Sequence, residues 1–317
     1  MDHRLRRLLP SCLPKIGPAA VLTMSLLAAA AADERPQASP LSDLAAITVE
    51  AARERSLIEH QVESFVSAIA IAPYQESLAR WETSICPLVA GLPRDHGEFI
   101  LRRISEIAAA AGAPLAAEHC RANFYVIVSA DPDALLKAWR KRDPNIFGDE
   151  GERKIRGFLC AGGPARVWYN ANLAASDGTP LTLDVPGLTA GGLSTGSSSA
   201  LSGVPNNTHA LGFRLKRDEV RELSSVIVTI DSRRARGVSF GQLADYIALA
   251  GLAEVRLDAA VGNLPTIFNL FSAGGKDSPP ALSAWDQAFL KALYHSDPTD
   301  KTQLSAIKGS VVRDVAQ

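Results

Sequence analysis

Apolar residues recur along this chain at helical spacing in some stretches and in β-branched runs in others. The clearest helical stretch is 239–252, SFGQLADYIALAGL. Ser239 and Gln242 form an S-x-x-Q capping signature ahead of an apolar run. Phe240, Leu243, Ala244 and Ile247 follow at i, i+3, i+4 and i+7, one face of a helix. Tyr246, Leu249 and Ala250 make the other face apolar too, which predicts a helix buried nearly all round. Gly251 is expected at C′, where a positive φ favours glycine.

The same spacing predicts helices over 54–71, 99–111, 283–295 and 304–315. Ser283 and Asp286 supply a second capping signature, and Asp131-Pro132 opens a helix through Trp139 that Asp143-Pro144 ends. FYVIV at 124–128 and VIVTI at 226–230 read as buried strands, and 78–81, 88–90 and 166–172 as shorter ones. Residues 174–210, rich in Gly, Ser, Thr and Pro, read as a long surface loop. Together these predict an α+β fold, a mixed sheet with packed helices. The expected divisions are 47–172 (an N-terminal α/β region), 173–223 (a Gly/Ser-rich loop region) and 224–317 (a C-terminal helical region).

The N-terminus changes the picture. Arg4, Arg6, Arg7 and Lys15 precede an uncharged apolar stretch, 16–32, that ends in five alanines. This predicts a signal peptide over 1–32 with cleavage near Ala32, since 17 residues are short for a membrane span of about 20. A polar leader, 33–46, follows. The expected location is therefore periplasmic or extracellular, with no transmembrane span in the mature chain. With 317 residues, 47% hydrophobic, the chain can bury a sizeable core. A net charge of −1 argues against nucleic acid as a partner.

Export also changes the cysteines. Cys12 leaves with the signal, and Cys86 and Cys120, which bracket the 99–111 helix, are expected to form a disulfide. Cys160, within GFLCAGG, then reads as a buried free thiol. Two nucleophiles stand as the alternative: Cys160, with no histidine near it in sequence, and Ser194, inside a G-x-S-x-G match at 192–196. That motif needs a strand before its serine and a helix after it, and loop-like sequence lies on both sides. Six histidines are scattered with no H-E-x-x-H, and no P-loop is present, so no metal or cofactor is expected. The arginine-rich turn at 233–237 reads as a solvated turn.

The C-terminal third resembles secreted metzincin metalloproteases such as matrixins. ADYIALAGL at 244–252 lies like their H-E-x-x-H-x-x-G-L helix, and PTIF at 265–268 falls where they have the methionine-bearing turn. L-S-x-x-D-x-x-x-L-x-x-L-Y at 282–294 is similar to their closing helix. Ala244 and Ala248 stand where the two zinc-binding histidines would be, and Asp245 where the general-base glutamate would be. An alanine offers no lone pair, so the resemblance implies a zincin-like scaffold without its metal. The mature chain also resembles a group of uncharacterised secreted bacterial proteins, through LARWETSICPLVAGL, LADYIALAGL and LSAWDQAFLKALY. The expectation is an exported protein that binds or scaffolds and does not catalyse, its ligand and partner unspecified. The alternatives are a hydrolase using Ser194 or Cys160, or an envelope protein anchored by an uncleaved N-terminus.

Overall fold

Three apolar runs become the parallel part of one sheet. In this computed structural model, β1 (Pro87–Ala90), β2 (Phe124–Ser129) and β6 (Glu219–Asp231) lie side by side in parallel. β3 (Ala165–Ala175) pairs antiparallel with β6 on its far side, giving the order β1-β2-β6-β3. Parallel strands covered on both faces need near-continuous apolar sequence, which FYVIV and VIVTI supply. Edge strand β3 alternates buried and part-buried positions through Tyr169 instead. A separate two-stranded pair joins β4 (Thr182–Leu183) to β5 (Pro205–Asn206). The structure describes residues 40–73, 76–176, 182–183, 205–206, 215–272 and 278–316. Residues 1–48 and 49–317 divide as two compact units, and only the opening of α1 is described in the first.

Seven α-helices are present among the described residues. α1 (Pro40–Ile69) buries Val62, Phe65, Val66 and Ile69, and α2 (Arg94–Ala111) is the crossover between β1 and β2. α5 (Phe240–Leu252), α6 (Ala284–His295) and α7 (Gln303–Val315) share one large apolar core with α1, α2 and one face of the sheet. α3 (Pro132–Arg142) and α4 (Glu152–Cys160) cover the other face around Leu136, Ile155, Leu159 and Trp168. The fold is thus the expected mixed α+β arrangement. The disulfide is formed between Cys86 and Cys120, their Cα atoms 5.9 Å apart, and no described helix is long and apolar enough to cross a membrane.

Several local expectations differ from what is observed. The leader expected over 33–46 is helical from Pro40. The described ends of the loop region expected over 173–223 are strand, because β3 runs to Ala175 and β6 starts at Glu219. Residues 78–81 form no strand beyond a single bridge from Arg80 to Glu222. The backbone N–H of Leu78 instead donates to Gln303 Oε1 at 2.9 Å, a side-chain partner that replaces a ladder bond. Cys160 is exposed, because the unforeseen α4 carries it on the outer face while Ile155 and Leu159 face inward. The signal peptide expected over 1–32 and Ser194 lie outside the described residues.

Candidate functional site

The Ser239 hydroxyl accepts the backbone N–H of Gln242 at 3.2 Å and starts α5 as expected. Gln242 does not complete a capping box. Its amide donates to the carbonyl of Pro279, 2.8 Å away. Every residue of 243–252 is buried. Gly251 is not the C′ residue: it lies inside the helix, and extended Ala253 ends it. A Cβ built on Gly251 would sit 1.9 Å from Cζ of Phe124, so the glycine is required by the close approach of that ring.

The last carbonyls of a helix have no partner within it. In α5 three consecutive ones are satisfied by aromatic side chains from three different parts of the chain. Tyr169 on β3 donates to the carbonyl of Ala250 at 2.7 Å, Trp81 to Gly251 at 2.9 Å and Tyr294 on α6 to Leu252 at 2.6 Å. Burial pushes the Tyr169 and Tyr294 hydroxyls up, so both stay protonated as donors.

The positions that the metalloprotease resemblance singles out fall within this packed helix. Ala244 and Ala248 are both 0% exposed. Asp245 is 1% exposed and accepts two bonds from Arg103 on α2, from Nε and, at 3.1 Å, from Nη2. Its Oδ2 also accepts the backbone N–H of Leu282 at 2.7 Å, just ahead of α6. The hydrogen bond to Asp245 raises the Arg103 guanidinium still further. One carboxylate therefore ties α2, α5 and the entry to α6 together.

A second carboxylate does the same one segment later. Asp286 is fully buried, completes a capping box with Ser283, and accepts from Thr266 Oγ1 at 2.6 Å and from the Ile267 N–H at 2.9 Å. Burial raises its pKa even though four donors pull the other way. Thr266 and Ile267 open the 3-10 helix Ile267–Phe271, so the PTIF segment is bonded directly to the closing helix.

Such a donor set does not fit a metal. Two methyl groups cannot ligate, and Asp245 already has its partners. Among the described residues no group of three or more His, Cys, Asp or Glu side chains is placed to hold a metal ion. Cys160 stands at the exposed end of α4, with no histidine bonded to its thiol among the described residues. In the arginine turn, Arg233 and Arg234 lie 3.7 and 3.5 Å from Asp231, as a solvated turn would have them.

Two clefts lie away from the helix interior. One, of about 430 Å³, runs between α2, α6 and α7, with Ile107, Ala111 and Ala288 as its floor and Arg103, Lys291 and Asp314 at its rim. The rim charges are already paired, Arg103 with Asp245 and Lys291 with Asp314. The other, of about 550 Å³, is polar and lies where the loop before β2 meets β3 and β6. Its lining includes Arg121, Asn123, Asn145, Asn170 and Ser225, of which only Asn170 lay in an element that the patterning had marked, the strand expected over 166–172. Comparison with known proteins found no family model, curated protein or solved structure that matches this chain.

Proposed function

We propose that this is an exported protein of an oxidising compartment, periplasmic or extracellular, that binds or scaffolds on a metalloprotease-like framework without the metal. The observation that carries the reading is Asp245. At the position of the general base, the side chain is buried against Arg103 and the Leu282 N–H, where it can neither reach a substrate nor activate a water. The bonding of Thr266 and Ile267 to Asp286 supports the framework part, because it links the two segments that carry the rest of the resemblance. The disulfide fits an oxidising compartment.

The test combines elemental analysis of the purified protein with a peptide-hydrolysis assay in added zinc and with serine- and thiol-directed covalent probes. The expected result is no stoichiometric metal and no hydrolysis. Stoichiometric zinc, or hydrolysis abolished by a serine or thiol probe, would overturn it in favour of a hydrolase. N-terminal sequencing from the producing cell should begin near Asp33, and an intact Met1 in the soluble fraction would refute export by cleavage.

A further inference from the structure

The polar cleft is a built surface. Asn170 forms its floor and is held on every side: its Oδ1 accepts from Trp168 Nε1 at 2.9 Å, and its Nδ2 donates to the Ile146 carbonyl and to Ser225 Oγ at 3.0 and 2.7 Å. Gly148, at a φ of 63°, passes so close that a Cβ there would lie 2.9 Å from Asn170 Oδ1. The β3–β6 register shifts at this point. Asn170 faces Ser225 and Ala171 faces Leu223, which leaves Ser224 as the extra residue of a bulge. Bulges of this kind re-aim side chains next to binding sites. Ser224 donates to the carbonyl of Asn170 at 3.0 Å, so the bulge is itself bonded in place.

The wall opposite is equally fixed. Asn123 accepts the Cys86 N–H at 2.7 Å and donates to the Ser84 carbonyl at 3.1 Å. The Cys86–Cys120 bridge anchors the same segment, and its neighbour His119 has a φ of 61°, a costly conformation for a residue with a side chain. Above this held floor the rim has unused capacity. Neither the guanidinium of Arg121 nor the side-chain amide of Asn145 has a bonded partner among the described residues, and the Asp143 carboxylate accepts only from the Asn145 N–H.

A volume of 550 Å³ falls within the range of about 300–1,000 Å³ for small-ligand sites, but such sites are mostly apolar. This one offers amides, hydroxyls, one cation and one anion. An apolar ligand would leave the rim groups of Arg121, Asn145 and Asp143 unpaired, and a ligand of single charge would meet both signs. A ligand dense in hydroxyls, each both donor and acceptor, can pair with all of them, and the part-buried Tyr125 adds an aromatic edge. We propose that this cleft binds an uncharged, hydroxyl-rich ligand, a short saccharide. The proposal rests on the binding reading above and supplies its ligand class.

The test is calorimetric titration of the full purified chain with chitotetraose, cellotetraose and maltotetraose, and with glycylglycine as a zwitterionic comparison. Saturable binding of at least one saccharide is expected. The double variant Arg121→Ala, Asn145→Ala should weaken it by about tenfold or more, with an unchanged melting curve because neither side chain is bonded. No saccharide binding up to about 10 mM, binding that survives the double variant, or binding of glycylglycine alone would overturn the proposal. Failure here leaves the non-catalytic reading standing. Cleavage of a bound saccharide, followed by chromatography, would uphold the ligand class and overturn that reading instead.

Discussion

The indole N–H of Trp81 donates to the carbonyl of Gly251, and the two residues enclose the ring of Phe124 between them. Trp81 stacks on that ring at a centroid distance of 6.4 Å, and the hydrogen bond spans 2.9 Å. The end of α5 is thus shaped by contacts 127 and 170 residues away in sequence.

Gly251→Ala tests this arrangement directly. In an exposed helix the change stabilises by about 1 kcal/mol. Here the added methyl collides with Phe124 in a filled core, and a loss of about 2 kcal/mol or more is expected. A urea melt reads the sign, and a more stable variant would refute the packing.

Arg103→Met should destabilise by about 2–3 kcal/mol, because Asp245 is left buried without its cation. The figure lies below that of a fully buried pair, since the Arg103 side chain is 33% exposed and water can replace part of it. Adding Asp245→Asn should recover part of the loss, and additive losses in the double-mutant cycle would show that the two side chains do not interact.

The triple change Ala244→His, Asp245→Glu, Ala248→His should destabilise by several kcal/mol, roughly, and create no zinc site. Both alanines are fully buried, and the imidazoles would be buried without partners. Zinc titration of the variant, followed by its melting temperature, decides this: a zinc-dependent rise would mean the helix faces a cavity.

Asp297 predicts an acid limb. Its bonds to Lys216 and Thr299 lower its carboxyl from 3.8 to about 2. A depressed folded pKa adds stability above the unfolded value, and that stability is lost as pH falls toward the folded one. Stability measured against pH for the protein and for Asp297→Asn should therefore converge between pH 3.8 and about 2. A difference unchanged across that window would remove the role of the ionised carboxylate.

Thiol counting checks the cysteines. A chain starting at Asp33 should react with one equivalent of thiol reagent without denaturant, at exposed Cys160. Reduction should expose two more and cost roughly 3–4 kcal/mol in the chain-entropy model for a separation of 34 residues.

What was legible in the sequence was local. VIVTI and FYVIV carry their burial in their own residues, and Ser239 and Ser283 cap the helices they precede. The Cys86–Cys120 pair was legible because the chain has few cysteines and a helix between these two. Gly251 was misplaced because a glycine near a helix end fits both a C′ turn and a close contact, and only Phe124 distinguishes them. α4 was missed because ERKIRGFLC is short and charged, with just two inward residues to signal it. The polar cleft left no periodic trace. Its residues come from two loops, strand β2 and a bulge, joined only by the sheet.

The strand order β1-β2-β6-β3 has a consequence for synthesis. β6 is the inner partner of both β2 and β3, yet it is made last of the four. Until residue 231 has emerged, β2 and β3 each present a row of unpaired backbone groups, the kind of open edge that draws strands from other chains. A chain still attached to the ribosome cannot close its sheet, and those edges stay open to other strands until the last strand arrives between them.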